Sequence, residues 1–150
     1  MSAMAAALRH ESKFSSAVRA SWSERRMRFV ISGGGTGGHV YPALALAEEA
    51  RRRGIEVLYV GTRHGLEARI VPQTGLPFAT VAAAGVVGRS VWRKVSGAAQ
   101  ILWGTAQAAV LLRRQRADLV IGVGGYAAIP TIVAAWLLRA PRILCEQNVH

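Results

Sequence analysis

Short apolar runs alternate with helical patterns along most of the chain. The apolar runs predict strands over residues 28–32, 56–60, 78–81, 119–123 and 142–145. Apolar residues at helical spacing predict helices over residues 43–53, 66–73 and 131–138. Strands that are apolar on both faces and alternate with helices are typical of a parallel sheet covered on both sides. The pattern therefore predicts a doubly wound, Rossmann-like α/β fold, in which ligands bind beyond the carboxyl ends of the strands.

Residues 95–112 form a long uncharged segment between the basic pairs Arg93-Lys94 and Arg113-Arg114. Its length reaches that of a membrane span, but its glycine, glutamine, serine and threonine residues weaken insertion into a bilayer. Two interpretations remain open. The segment is either an amphipathic helix lying at a membrane surface between basic flanks, or a crossover helix packed on the sheet, and different faces of one helix can serve both roles.

A glycine-rich loop at residues 32–39 joins the first strand to the first helix. Its glycines let the backbone approach a ligand closely, and the helix start offers unpaired N–H groups, so the loop predicts an anion site. The spacing Gly33-x-Gly35-x-x-Gly38 also matches the dinucleotide fingerprint. That fingerprint expects an acidic residue near the end of the second strand, whereas Glu56 stands at its beginning. The interpretation of the chain as an oxidoreductase that binds a dinucleotide is therefore weakened.

A second glycine loop, with Gly124, Gly125 and Tyr126, follows the fourth predicted strand. Glu146-Gln147-Asn148 follows the fifth. Since parallel strands end at one edge of a sheet, these segments and the first loop predict one site for a large polar ligand that carries a diphosphate. His39 closes the first loop at the start of the helix, where the positive helix end favours the neutral imidazole that can accept a proton.

Composition narrows the class of partner. The 150 residues are 51% hydrophobic and carry a formal net charge of +11, which suits one globular domain with an anionic partner. A nucleic-acid partner is not favoured, because no helix-turn-helix or RNA-binding motif is present. The single cysteine, Cys145, excludes an intramolecular disulfide framework. Residues 1–26 are predicted to be a disordered basic tail, and residues 27–150 a domain that stops before its fold is complete.

Four motifs occur in a recognisable order: GGTGGHVYPALALAEE, VGTRHGLEARIVP, DLVIGVGGYAAIPTIVAAW and ILCEQN. Together they resemble the amino-terminal half of the MurG family of peptidoglycan glycosyltransferases. The resemblance implies the amino-terminal, acceptor-binding domain of a GT-B fold, with the donor-binding domain absent. It implies transfer of N-acetylglucosamine from UDP-N-acetylglucosamine to the C4 hydroxyl of lipid I at the cytoplasmic side of the cell membrane, with no metal or cofactor. The alternative is a noncatalytic membrane-docking subunit of a split transferase.

The resemblance also assigns roles to particular residues. It implies that His39 is the general base and that Tyr126 and Glu146 support catalysis, while Gly35, Thr36, Gly37 and Asn148 contact the donor. Gly38, Gly124 and Gly125 complete the expected anion-binding loops. The family's membrane patch maps onto Val91, Trp92, Arg93, Lys94, Ile101, Leu102, Trp103 and Trp136. The chain departs from the family at Gly33, an extra glycine, and at Cys145, where relatives often have histidine.

Overall fold

The computed structural model describes residues 26–83 and 91–145, with the backbone alone for residues 91–96. Strands and helices alternate along this part of the chain, as the sequence predicts. A 3-10 turn, Val71–Thr74, follows the second helix. The elements are β1 (Arg28–Ser32), α1 (Gly37–Arg52), β2 (Glu56–Gly61), α2 (Glu67–Ile70), β3 (Phe78–Thr80), α3 (Val91–Gln115), β4 (Leu119–Gly122), α4 (Ala128–Leu137) and β5 (Arg142–Leu144).

The five strands form one parallel sheet in the order β3-β2-β1-β4-β5. In the central register Val30 lies opposite both Leu58 of β2 and Val120 of β4. The strands β2 and β3 therefore lie on one side of β1, and β4 and β5 lie on the other. This order confirms the doubly wound α/β prediction, and it places the reversal of direction between β1 and β4.

Neighbouring residues of β1 serve the two faces of the sheet. Ile31 packs beneath α1, in a cluster with Ala43 and Ala47 of that helix. Val30 points to the opposite face and packs with residues of α3 and α4 such as Ala108 and Ala134. Both β1 residues are almost completely buried. Two apolar clusters thus cover the sheet, which explains why the strands are apolar without alternation.

The helix α3 contains the long uncharged segment and extends beyond it at both ends. Ala108 and Leu112 are buried against the sheet, which confirms the crossover interpretation. A Cβ at Gly104 would overlap the carbonyl of Ala82, so the helix lies directly on the chain that leaves β3. Leu102 and Trp103 remain exposed. In the part of the chain that is described, no helix combines the length and hydrophobicity required to cross a bilayer.

Helix boundaries differ from the predicted ones for local reasons. The helix α1 begins at Gly37, because Thr36 in an extended conformation is its N-cap residue. The predicted helix begins later, at residue 43, because the glycines of the first turn contribute no apolar pattern. The predicted helix over residues 66–73 is shorter and continues as a 3-10 turn, in which Pro72 lacks a donor N–H. The helix α4 starts at Ala128 because Pro130 is tolerated in a first turn.

Candidate functional site

The two glycine loops flank the position where the sheet reverses direction. The first loop leaves β1 at Ser32 and the second leaves β4 at Gly122, and these two residues are paired in the sheet register. Because the strands are parallel, both loops emerge at the same edge. This crevice beyond the carboxyl ends is where open α/β sheets bind their ligands.

The loops are in direct backbone contact. The N–H of Gly34 donates to the carbonyl of Gly124, with 3.3 Å between nitrogen and oxygen. Gly125 has a φ of +78°, and a Cβ at this position would overlap the carbonyl of Gly34. A side chain is therefore excluded at Gly125 both by its backbone conformation and by the neighbouring loop. The two loops form one continuous backbone surface.

Buried hydroxyl groups fix both loops to the sheet. The Tyr59 hydroxyl, on β2, donates to the carbonyl of Gly33 at 3.0 Å. Burial, with a contribution from the charge of Glu67, raises the pKa of Tyr59 far above its ordinary value, so the phenol stays protonated. Beneath the second loop, the Ser32 and Thr131 hydroxyls donate to the carbonyl of Ala127 at 2.9 and 3.0 Å. The bases of both loops are thus held by buried hydrogen bonds.

The start of α1 offers unpaired backbone donors next to the loops. Within the described ranges, the N–H groups of Thr36, Gly37 and Gly38 have no protein acceptor. The first turn of the helix contains no acidic side chain that would compensate its positive end. Free N–H groups at a positive helix end favour an anion such as phosphate.

His39 lies where the two loops meet. Its Nδ1 is 3.1 Å from the Thr36 hydroxyl oxygen, and its ring packs against Gly124, where a Cβ would stand 2.5 Å from Cδ2. The absence of a side chain at Gly124 therefore makes room for the imidazole. Nε2 has no protein partner among the described residues, so this nitrogen is available to a ligand. The geometry suits a proton acceptor that is held in orientation through Nδ1.

A cleft of about 580 Å³ opens beside these loops. One wall is polar and consists of loop backbone, Thr36, His39 and Tyr126. Another part of the lining is apolar and comes from α4 and the end of β5, with Ile129, Val133 and Leu144 among its residues. The cleft can therefore receive a ligand that has an anionic part and an adjoining hydrocarbon part.

Glu67 contacts the first loop through the N–H of Gly35 and was not predicted from the sequence. The residue is completely buried. Its carboxylate accepts hydrogen bonds from the N–H of Gly35 at 2.8 Å, the N–H of Thr62 at 2.8 Å and the Thr62 hydroxyl at 2.7 Å. Burial acts to raise the pKa of Glu67, but these hydrogen bonds outweigh it and hold the pKa below its ordinary value. Its sequence signal was its place in the motif VGTRHGLEARIVP, in which Gly61 and Gly65 precede Glu67 and the apolar pair Ile70-Val71 follows it.

The structure gathers part of the predicted site. His39, Gly35, Thr36, Gly124, Gly125 and Tyr126 line the cleft together. Gly37 and Gly38 lie in the first turn of α1 but not in the cleft lining, and a Cβ at Gly37 would face the ring of Tyr41. Glu146 and Asn148 lie outside the described residues. The roles assigned to all of these residues stay predictions.

The predicted membrane patch is described in part. Trp103 and Trp136 are 64% and 60% exposed, and Leu102 is exposed as well, whereas Ile101 is half-buried. The helices that carry them, α3 and α4, pack on the same face of the sheet. The side chains of Val91, Trp92, Arg93 and Lys94 lie outside the described residues.

A second, smaller pocket of about 300 Å³ lies beyond the ends of β2 and β3, beside α3. Arg63, His64 and Gln107 line it together with Trp103. Its arginine makes it the rival position for an anion, although it lacks a glycine loop and the start of a long helix. Within the described ranges, no three histidine, cysteine, aspartate or glutamate side chains are grouped to hold a metal ion.

Comparison with known proteins shows the family to which this α/β domain is related. The glycosyltransferase family 28 N-terminal domain matches residues 29–150. A Geobacter sulfurreducens protein named UDP-N-acetylglucosamine--N-acetylmuramyl-(pentapeptide) pyrophosphoryl-undecaprenol N-acetylglucosamine transferase is 48% identical over 124 residues, which cover 81% of this chain and 34% of that protein. A Moorella thermoacetica protein of the same name is also 48% identical, with 81% and 33% covered.

A solved structure of a protein from the same family also matches this chain. The crystal structure of Acinetobacter baumannii MurG matches with a TM-score of 0.69 at 32% identity, covering 82% of this chain and 36% of that one. The chain thus spans about a third of the length of the relatives it matches. The predicted resemblance to the amino-terminal part of this family is confirmed.

Proposed function

Because this chain belongs to glycosyltransferase family 28, we propose that it forms the acceptor-binding part of an enzyme that transfers N-acetylglucosamine from UDP-N-acetylglucosamine to the C4 hydroxyl of lipid I. The product is lipid II. The observation that carries this proposal is the junction of two glycine loops, with His39 lying across it at the reversal point of the sheet. The donor-binding part would lie outside the 150 residues described by this sequence, which span about a third of the length of the relatives.

The acceptor diphosphate would occupy the loop junction. The N–H groups of Thr36, Gly37 and Gly38 are free donors at the positive start of α1, and Thr36 also lines the cleft. The hydrocarbon chain of the acceptor would leave along the apolar wall that contains Ile129 and Val133. This placement uses both chemical halves of the cleft.

The transfer itself would be an inverting displacement. The acceptor C4 hydroxyl gives its proton to Nε2 of His39 while its oxygen bonds to the anomeric carbon of the donor sugar. The bond from that carbon to the UDP oxygen breaks, and UDP leaves with the electron pair. The Thr36 hydroxyl holds the imidazole through Nδ1, so the ring is oriented before the acceptor binds.

The exposed apolar residues of α3 and α4 support membrane attachment as part of this proposal. Trp103 and Leu102 project from α3, and Trp136 and Leu137 from α4. Arg113 and Arg114 lie in the last turn of α3, so basic charge accompanies the apolar surface. Apolar contact and attraction to anionic lipids would together hold the protein at the membrane surface, where its lipid acceptor resides.

A chimera tests the proposed reaction. Residues 27–150 of this chain would replace the matching segment of the Geobacter sulfurreducens relative, and turnover would be measured with labelled UDP-N-acetylglucosamine and a lipid I analogue. The His39→Ala variant should lower kcat by about 10²–10⁴-fold, the usual contribution of a general base, with a small change in the acceptor KM.

The matched control is His64→Ala, which removes an exposed imidazole from the loop after β2. This variant should retain the parent kcat. A His39→Ala variant with parental kcat, or one in which kcat and acceptor affinity fall equally, would contradict the assignment of His39 as the base.

A further inference from the structure

Glu67 is a buried carboxylate to which the reaction gives no part. It is completely inaccessible to solvent, and both of its oxygens accept short hydrogen bonds from neighbouring loops. Oε2 accepts from the N–H of Gly35, and Oε1 accepts from the N–H and hydroxyl of Thr62. Hydrogen bonds to a charged acceptor are stronger than those between neutral groups, so this carboxylate ties the first glycine loop to the loop after β2.

Glycines around Glu67 make room for its side chain. A Cβ added at Gly34, Gly61 or Gly65 would overlap the Glu67 side chain. The three glycines come from the first glycine loop, the end of β2 and the loop before α2. Their convergence allows the carboxylate to reach Gly35 across the gap between separate segments. The arrangement is therefore a built pocket for an anionic side chain, located behind the loop.

The charge of Glu67 opposes the proposed ligand. A carboxylate close to an anion site repels phosphate, so on electrostatic grounds alone this residue would weaken binding. It also uses the N–H of Gly35, one of the donors that the loop could otherwise offer to a ligand. If Glu67 holds the loop in the shape that binds the ligand, that gain in affinity would offset both the repulsion and the loss of the Gly35 donor. The hydrogen bond to Gly35, which has a φ of +91°, fixes the peptide immediately before the free N–H groups of α1.

We propose that Glu67 is a positioning residue that holds the Gly35 peptide so that the first glycine loop keeps the shape required for binding a diphosphate. The inference rests on the proposed function for the identity of the ligand. The carboxylate does not touch the ligand, and it acts through the backbone of Gly35. Thr62 completes the arrangement by supplying two donors to the same carboxylate and by accepting from the N–H of Gly65 at 3.1 Å.

The positioning role and the electrostatic effect predict opposite results for Glu67→Gln. The variant removes the negative charge and places an amide NH₂ where one donor group now faces an oxygen. If the positioning of the loop by Glu67 outweighs the repulsion by its charge, the affinity of the 150-residue chain for geranyl diphosphate should fall by about tenfold or more. This change is equivalent to at least about 1.4 kcal/mol. If the charge alone matters, the affinity should rise. Unchanged or tighter binding by a folded Glu67→Gln protein overturns the proposal.

Glu48→Gln is the matched control, because Glu48 is an exposed glutamate on α1 away from the loops. It should bind geranyl diphosphate with an affinity within about twofold of the parent, a difference below 0.5 kcal/mol. Thr62→Val is the milder variant if Glu67→Gln does not fold, since it keeps the carboxylate and its bond to Gly35 and removes only the two bonds of the Thr62 hydroxyl, to Glu67 at 2.7 Å and from the N–H of Gly65 at 3.1 Å. A loss of several-fold in affinity is expected, and parental affinity would count against the proposal.

Hydrogen exchange provides a readout that does not depend on any ligand. The N–H of Gly34 bonds to Gly124 only while the first loop keeps its shape. Its exchange should accelerate about tenfold or more in Glu67→Gln, because local opening becomes easier, and it should be unchanged in Glu48→Gln. Unaltered exchange at Gly34 would refute the positioning role. Failure of the parent chain to bind geranyl diphosphate, with accelerated exchange in the variant, would instead refute the proposed function alone.

Discussion

The contact between the two glycine loops can be tested by adding one methyl group. The substitution Gly125→Ala introduces a Cβ that overlaps the carbonyl of Gly34. Gly54, at the end of α1, provides a matched control because its φ of +77° is close to the +78° of Gly125, yet a Cβ there meets nothing within 4 Å. Both variants incur the same backbone penalty, and only Gly125→Ala also incurs the overlap.

The expected difference follows from these two contributions. An alanine in the left-handed region costs about 1–2 kcal/mol, so Gly54→Ala should lower the free energy of unfolding by about that amount. Overpacking against a well-ordered neighbour costs about 1–3 kcal/mol more, so Gly125→Ala should lose about 2–5 kcal/mol in total. For a domain of this size, where 1 kcal/mol shifts Tm by about 2–4 °C, the additional loss corresponds to a Tm lower by about 2–12 °C.

Urea denaturation of the 150-residue chain measures both values. The slopes of the transitions should match the parent, so that the midpoints report stability alone. Gly125→Ala should also weaken the binding of geranyl diphosphate, because the loops must separate to admit the methyl group, whereas Gly54→Ala should leave binding unchanged. Equal destabilisation by the two substitutions would show that the loops are not in contact and would refute the reasoning.

Three further predictions concern the supports of the site and its surroundings. Tyr59→Phe should cost about 1–2 kcal/mol in urea denaturation, because it leaves a buried loop carbonyl without its donor. The pKa of Glu67 is lower in the folded protein than the ordinary 4.5, so its stabilisation is complete above that pH and is lost as the pH falls through the folded-state value. Glu67→Gln should therefore flatten the decline of urea midpoints below pH 4.5, and a parental decline would contradict this. Replacing Trp103 and Trp136 by serine should weaken sedimentation with phosphatidylglycerol vesicles by about tenfold, whereas serine at the equally exposed Tyr41 should not.

The fold could be predicted because its signals are local. Each strand is a short apolar run, and each predicted strand matches an observed one to within one residue at either end. The glycine loops follow β1 and β4, so their location at one edge of the sheet needed only the assumption that the strands are parallel. The position of His39 beside the first loop followed in the same way.

The contacts between segments could not be predicted, because they depend on the order of the strands. Gly34 meets Gly124 because β4 lies beside β1, and no local pattern specifies that pairing. Glu67 was missed for a related reason. In sequence it resembles an ordinary solvated glutamate in a short helix, and its partner Gly35 lies 32 residues away. The exposed face of α3 was also ambiguous, since an apolar helix gives one signal for packing and for membrane contact.

The most direct test is a map of where a diphosphate binds to this chain. Backbone amide chemical shifts of the ¹⁵N-labelled protein would be followed during titration with geranyl diphosphate. We expect the largest changes at Thr36, Gly37 and Gly38 and at the second loop, Gly124 and Gly125. Largest changes around Arg63 and Gln107, in the pocket beside α3, with the two glycine loops unaffected, would contradict the claim that the loops form the acceptor site.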